Sequence, residues 1–137
     1  MAIIGIIAEY NPFHTGHEYH IARSRELLGA DSTVICVMSG DFVQRGEAAL
    51  YSKFARAEAA CRCGADLVIE LPLPWAIASA EGFAAGGVSI LSRLGCGFLS
   101  FGCESGDGDA ILRAAEASRS SEFEQTLHAN IQTGLSY

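Results

Sequence analysis

Apolar positions along the chain alternate between short continuous runs and sets spaced three or four apart. Residues 3–8, Ile-Ile-Gly-Ile-Ile-Ala, have no polar interruption, the mark of a central strand covered on both faces. Ile21, Ser24 and Leu28 then fall at helical spacing and predict a helix from His17 to near Gly29. Residues 33–38 and 66–71 predict a second and a third strand. Between them Leu50, Phe54, Ala57 and Cys61 predict a helical stripe that Gly64 terminates. Pro72 and Pro74 predict a break. Phe83, Gly87, Ile90, Leu91 and Leu94 mark an amphipathic helix over about 78–94, and residues 98–102 a fourth strand. Residues 107–118, acidic at their start, and about 120–133 read as two more helices. Strand and helix thus alternate four times. That predicts an α/β fold, a doubly wound parallel sheet of Rossmann-like type with right-handed crossovers.

The 137 residues suffice for one domain around one core. Half are apolar and mean hydropathy is positive, which fits a sheet buried on both faces. No stretch approaches the ~18 apolar residues of a membrane helix. The opening residues lack the features of a secretory signal, so a cytoplasmic protein without membrane association is expected. The five cysteines, at 36, 61, 63, 96 and 103, match no zinc or disulfide framework and read as reduced apolar fillers. Net charge is −7, with 6 basic and 9 acidic side chains in residues 1–70 and 3 and 7 in residues 71–137. Neither half carries the basic stripe that a nucleic-acid backbone requires, so any main grip on RNA is expected elsewhere.

In doubly wound sheets, ligands sit beyond the carboxyl ends of the strands. The loop after the first strand, Ala8-Glu-Tyr-Asn-Pro-Phe-His-Thr-Gly-His17, occupies that place. Pro12 fixes a turn, Gly16 lets a phosphate approach the backbone, and His17 opens a helix whose free N–H groups attract an anion. His14 and His17 can both donate to phosphate oxygens. Donors so placed suit nucleotidyl transfer, in which charge grows on the α-phosphoryl oxygens and Mg²⁺ shares the charge of the leaving pyrophosphate. Two other uses of the histidines are a metal site with His20, for which no cysteine or carboxylate lies at ligand spacing, and a capped helix start.

His-x-Gly-His in this setting is the signature of nucleotidyltransferases that share a fold with class I aminoacyl-tRNA synthetases. The blocks GIIAEYNPFHTGHEYHIA, VMSGDFVQRGEAALYSKFARAEAA, GADLVIELP and LSFGCE together resemble the tRNA(Met) cytidine acetate ligase family. The resemblance covers most of residues 5–104. It implies activation of acetate with ATP to acetyl-adenylate, then acetyl transfer to the wobble cytidine of elongator tRNA(Met), giving 4-acetylcytidine. It implies an ATP loop of Ile7, Ala8, Glu9 and Tyr10, the turn Asn11, Pro12 and Phe13, and the helix start His14, Thr15, Gly16, His17, Glu18, Tyr19 and His20. Gly102 matches a nucleotide-contacting glycine, and His14 and His17 match the phosphate ligands. Thr15 stands where the family usually has Asn and keeps a hydroxyl. Family members are longer, so the resemblance places a fifth strand, a later Arg-containing motif and the tRNA contacts beyond Tyr137.

The loop after the second strand, residues 39–50, carries Asp41, Gln44, Arg45 and Glu47. Arg45 is assigned to acetate or a phosphate through its planar fork, with Asp41 and Gln44 beside it. A solvated turn around Gly40 and Gly46 is the plainer use of the same residues. Lys53 and Arg56 in the first turns of the next helix oppose its dipole, which fits either an anionic ligand nearby or plain surface charge. Ser79 is a helix cap, Trp75 a base platform or a packing contact, and His128 an inert surface residue. Two further functions fit the motif: another adenylyl- or cytidylyltransferase, and a non-catalytic nucleotide-binding module. The oligomeric state is left open.

Overall fold

The four apolar runs pair into one parallel sheet in the order β3-β2-β1-β4. The computed structural model describes residues 1–103 and 106–134, with Arg45 described by its backbone alone. Strands β1 (Ile3–Ala8), β2 (Thr33–Ser39), β3 (Leu67–Leu71) and β4 (Phe98–Ser100) are connected by α1 (Thr15–Leu28), α2 (Lys53–Arg62), and α3 (Leu73–Ala76) with α4 (Ala80–Arg93). β1 is central, with Ile4 opposite Val34 on one side and Phe98 on the other.

Side chains alternate across the sheet. Ile4, Ile6, Val34, Cys36 and Met38 face one side, where Ile21 of α1 and Ala60 of α2 cover them. Ile35, Val37 and Leu71 face the other, under Ala76 of α3 and Leu91 of α4. Both faces are buried, which is why the strands read as continuous apolar runs. Helix α4 lies close against β1: a Cβ on Gly87 would sit 2.6 Å from Ile7 Cδ1, and one on Gly5 2.6 Å from Leu91 Cδ1. The chain changes face after β3 and returns β4 to the free side of β1. The carboxyl ends of β1 and β4 are therefore the topological switch point.

Four expectations are corrected. Helix α1 starts at Thr15 rather than His17, because His14 caps it. The stripe predicted for α2 is not its buried face: Leu50 and Phe54 are 67% and 75% exposed, whereas Arg56 and Ala60 are buried. Leu50 precedes the helix, and its N–H donates to Asn11 Oδ1 at 2.7 Å. Pro72 and Pro74 do break the chain, but they also open α3, Pro72 as N-cap and Pro74 in the first turn, where a missing N–H is not needed. β4 stops at Ser100, two residues early, so Phe101 and Gly102 leave the ladder.

Residues Met1–Gly102 form one compact unit and Cys103–Tyr137 a second. In the second, α5 (Gly108–Ser118) is capped by Asp107 and α6 (Ser121–Gln132) by Ser120, and His128 lies exposed on α6. No helix among the described residues is long and apolar enough to cross a membrane.

Candidate active site

The loop from β1 to α1 is held from three directions. Tyr10 takes φ +51°, a left-handed conformation that costs a side-chain-bearing residue about 1–2 kcal/mol. Burial keeps it there: its ring meets Phe13 and His17 edge-on at 5.0 and 4.8 Å, and its hydroxyl donates to Cys36 Sγ at 3.2 Å. Burial also raises the pKa of this phenol and pushes the Cys36 thiol up to about 11. The loop's carboxylate and amide reach across to the β2 loop. Glu9 Oε1 accepts from the Gln44 N–H at 2.7 Å, as Asn11 does from Leu50.

Arg56 supplies the third hold. Only 2% exposed, it donates to the carbonyls of Tyr51 (3.0 Å), Glu9 (2.6 Å), Ser39 (3.1 Å) and Gly40. The carbonyl ends of β1 and β2 converge on one guanidinium. Burial lowers its pKa, while Asp41, Glu9 and Glu70 act the other way. Neither reading of Arg56 as a surface charge or an anion ligand survives; it is an internal clamp.

The two motif histidines cap each other. His14 Nδ1 accepts from the Gly16 N–H at 3.1 Å, and His17 Nδ1 accepts from the His14 N–H at 3.2 Å. This is a capping box built from imidazoles. A nitrogen that accepts carries no proton, so each neutral ring bears its hydrogen on Nε2. The rings stack with centroids 3.8 Å apart. Gly16 is needed for this contact as much as for any ligand, since a Cβ there would lie 2.9 Å from His14 Cε1. Burial, then the neighbouring His14 and His20, holds His17 below the ordinary imidazole range.

His20 is fixed by a relay of hydroxyls. Ser24 Oγ donates to the His20 carbonyl at 2.8 Å and so accepts from Ser100 Oγ at 2.7 Å. Ser100 Oγ in turn accepts from His20 Nε2 at 2.8 Å, leaving Nδ1 unprotonated. Burial lowers the pKa of His20 as well. The relay ties α1 to the end of β4.

Between these elements lies an open cavity of about 440 Å³ at the switch point. Of the sequence-predicted residues it is lined by Ile7, Ala8, Glu9, Tyr10, Asn11 and Pro12, by His14, His17 and His20, and by Gly102. A Cβ on Gly102 would meet nothing within 4 Å. Phe13 lies against the core beneath the loop, and Thr15, Gly16, Glu18 and Tyr19 face outward from α1. Ile6 and Phe101 line the cavity without having been singled out. In the sequence Phe101 read only as an aromatic inside the predicted fourth strand, and its place at the cavity follows from β4 ending at Ser100.

The β2 loop is placed differently from expectation. Asp41 and Gln44 do not line this cavity. Asp41 accepts from the Lys53 N–H at 3.3 Å and lies 3.7 Å from Lys53 Nζ, so Lys53 is its partner among the described side chains. The Arg45 side chain lies outside the described residues. Ser79 caps α4 by accepting from the Gly82 N–H at 3.3 Å. Trp75 packs so closely on α4 that a Cβ on Gly86 would lie 2.6 Å from its Cγ.

A parallel sheet with an anion-ready helix terminus and a His-x-Gly-His pair at its switch point has the layout of a nucleotidyltransferase. The sequence profile of the HIGH nucleotidyl transferase family matches residues 1–137, and the chain belongs to that family. It is 54% identical over 116 residues to the tRNA(Met) cytidine acetate ligase of Syntrophotalea carbinolica, covering 85% of this chain and 27% of that protein. It is 47% identical to the tRNA(Met) cytidine acetate ligase of Acetivibrio thermocellus, covering 100% of this chain and 34% of the relative. A crystal structure of Thermotoga maritima TmcAL bound with α-thio ATP superposes with a TM-score of 0.86 at 44% identity, over 99% of this chain and 34% of that one. The chain thus spans about a third or less of the length of these relatives.

Proposed function

We propose that the switch-point cavity binds ATP and that this chain belongs to an enzyme that activates acetate and acetylates the wobble cytidine of elongator tRNA(Met). The observation that carries the reading is the reciprocal capping of His14 and His17, which leaves an Nε2–H group on each of two rings lining the cavity at the start of α1. The names of the relatives and the nucleotide bound by the Thermotoga protein support the choice of substrates. Residues 1–137 are then read as a nucleotidyltransferase-like catalytic domain, and a tRNA substrate implies a cytoplasmic setting.

In the first step an acetate oxygen attacks the α-phosphorus, the bond to the bridging oxygen breaks, and pyrophosphate leaves. Negative charge grows on the α-phosphoryl oxygens. Neutral N–H donors fixed in advance meet that charge without reorganising. His14 and His17 are the catalytic donors, the loop from Ile7 to His20 with Gly102 surrounds the nucleotide, and Arg45 is assigned to acetate. Glu9 is the one carboxylate among the lining residues, and the described residues offer no group of three or more metal ligands. Mg²⁺ therefore fits as a passenger on the triphosphate, where it shares the charge of the leaving group.

Pyrophosphate release tests the reading. With ATP, release is expected only when acetate is added. Release with another acceptor alone favours a different transferase, and nucleotide binding without release favours a binding module. Failure of ATP to bind at all overturns the proposal.

A further inference from the structure

The relay between Ser24, Ser100 and His20 does more than join α1 to β4. Each hydroxyl carries one proton, and both protons are committed. Ser24 Oγ gives its own to the His20 carbonyl at 2.8 Å, so toward Ser100 Oγ, 2.7 Å away, it is the acceptor. Ser100 has then given its proton to Ser24 and accepts from His20 Nε2 at 2.8 Å. The imidazole keeps its hydrogen on Nε2 and a bare lone pair on Nδ1, and no donor among the described residues reaches that nitrogen.

We propose that His20 Nδ1 accepts from a ribose hydroxyl of the bound nucleotide, and that Ser24 and Ser100 are the positioning residues that keep this nitrogen an acceptor. The cavity is thereby selective for a ribonucleotide over a deoxyribonucleotide. This rests on the ATP reading and adds which sugar the cavity takes and what selects it.

The order of chemical groups along α1 chooses the ligand atom. His14, His17 and His20 all line the cavity. His17 and His20 are three positions apart, on one helix face and about 4.5 Å apart in rise. His14 and His17 present N–H donors, and His20, one turn farther on, presents an acceptor. A nucleotide carries the complementary order. Its phosphoryl oxygens only accept, and the ribose hydroxyls are the first donors beyond the α-phosphate. The amine of adenine lies a whole ring system farther away.

The walls agree with that placement. β4 ends at Ser100, and the next two residues, Phe101 and Gly102, are part of the cavity wall. The strand end that fixes the His20 ring therefore continues into the surface against which a sugar would lie. Ser24 is 4% exposed, so water does not compete for the relay. Burial also lowers the pKa of His20, which keeps the lone pair unprotonated at neutral pH.

The test is a ratio of affinities. ATP, 2′-deoxy-ATP and 3′-deoxy-ATP are titrated into the full chain by calorimetry. At least one deoxy analogue is expected to bind about tenfold more weakly than ATP, because it leaves Nδ1 without its donor. Ser100→Ala frees the ring to carry its hydrogen on Nδ1. It is expected to weaken ATP and spare that analogue, so that the ratio falls toward one, whereas Ser100→Thr keeps a hydroxyl and keeps the ratio. A general loosening of the cavity would weaken all three nucleotides alike and leave the ratio unmoved. Imidazole ¹⁵N shifts of the ligand-free chain read the tautomer directly, with Nδ1 of His20 expected in the unprotonated range. If Ser100→Ala loses its fold, Ser24→Ala, which removes the acceptor of the Ser100 proton, carries the same expectation. Equal affinity for the three nucleotides, an unchanged ratio in the alanine variant, or a protonated Nδ1 each overturns the sugar subsite while the ATP reading stands. Binding of none of the three overturns the ATP reading and the subsite with it.

Discussion

Replacing Arg56 by Met removes a cation from a site that holds together the chain at the carboxyl ends of β1 and β2. Four carbonyls, of Tyr51, Glu9, Ser39 and Gly40, lose their charged donor. A hydrogen bond to a charged group contributes about 1.5–3 kcal/mol, so the four sum to an upper bound of about 6–12 kcal/mol. Against this stands the desolvation of the guanidinium, several kcal/mol, which the wild-type chain bears and the Met variant does not. The lowered pKa of Arg56 reports that burden. The remainder is a destabilisation of about 3–5 kcal/mol, since the four carbonyls lose their donor while no charge is left unpaired. Trp75, the single tryptophan, lies in the same compact unit and reports its unfolding by fluorescence in urea. Arg56→Lys keeps the charge but reaches fewer carbonyls, and is expected to fall between the two. A loss below about 1 kcal/mol for Arg56→Met would falsify the clamp.

Other expectations follow from the same geometry. His17→Ala should lower acetate-dependent pyrophosphate release about a hundredfold or more while costing about 1 kcal/mol in helix capping; unchanged turnover removes His17 from the mechanism. Because burial depresses the folded-state pKa of His17 and His20, the unfolded chain binds more protons below its own value of about 6.5. Stability is therefore full above about pH 6.5 and falls as pH drops through that window; a melting temperature that holds steady down to about pH 5 refutes this. Gly87→Ala should destabilise by about 1–3 kcal/mol through its clash with Ile7, whereas Gly97→Ala, with open space around its Cβ, should be neutral in the same urea titration. Iodoacetamide at mild alkaline pH should label exposed Cys61 in the native protein and Cys36, with its raised thiol pKa, only after unfolding. Early labelling of Cys36 counts against its burial.

The elements were legible where burial and local chemistry agree. β1 and residues 34–38 of β2 lie between two covered faces, so every position there is apolar and the run shows plainly. The α4 stripe, including Gly87, was readable because it meets the sheet directly. The reading failed at α2, because its buried face centres on an arginine. Periodicity ranks Arg among exposed residues and cannot foresee that four carbonyls will satisfy it. At the start of α1 a capped helix start was one of the uses open to the histidines, but the boundary fell two residues late because propensity gives the cap to Ser, Thr, Asp and Asn rather than to histidine.

By itself the sequence determined the alternation of strand and helix, the parallel sheet, and the presence of a His-x-Gly-His loop at a strand's carboxyl end. These depend on residues near one another in the chain, whose spacing records which way each side chain points. The tertiary structure alone decided which ring nitrogens accept backbone hydrogen bonds, that Asp41 answers Lys53, and that Phe101 joins the cavity. Those outcomes turn on contacts between residues far apart in sequence, such as Arg56 with Glu9 and Gly40, or His20 with Ser100. No local pattern encodes them, because each is fixed only when two separate elements pack and a polar group must find its partner.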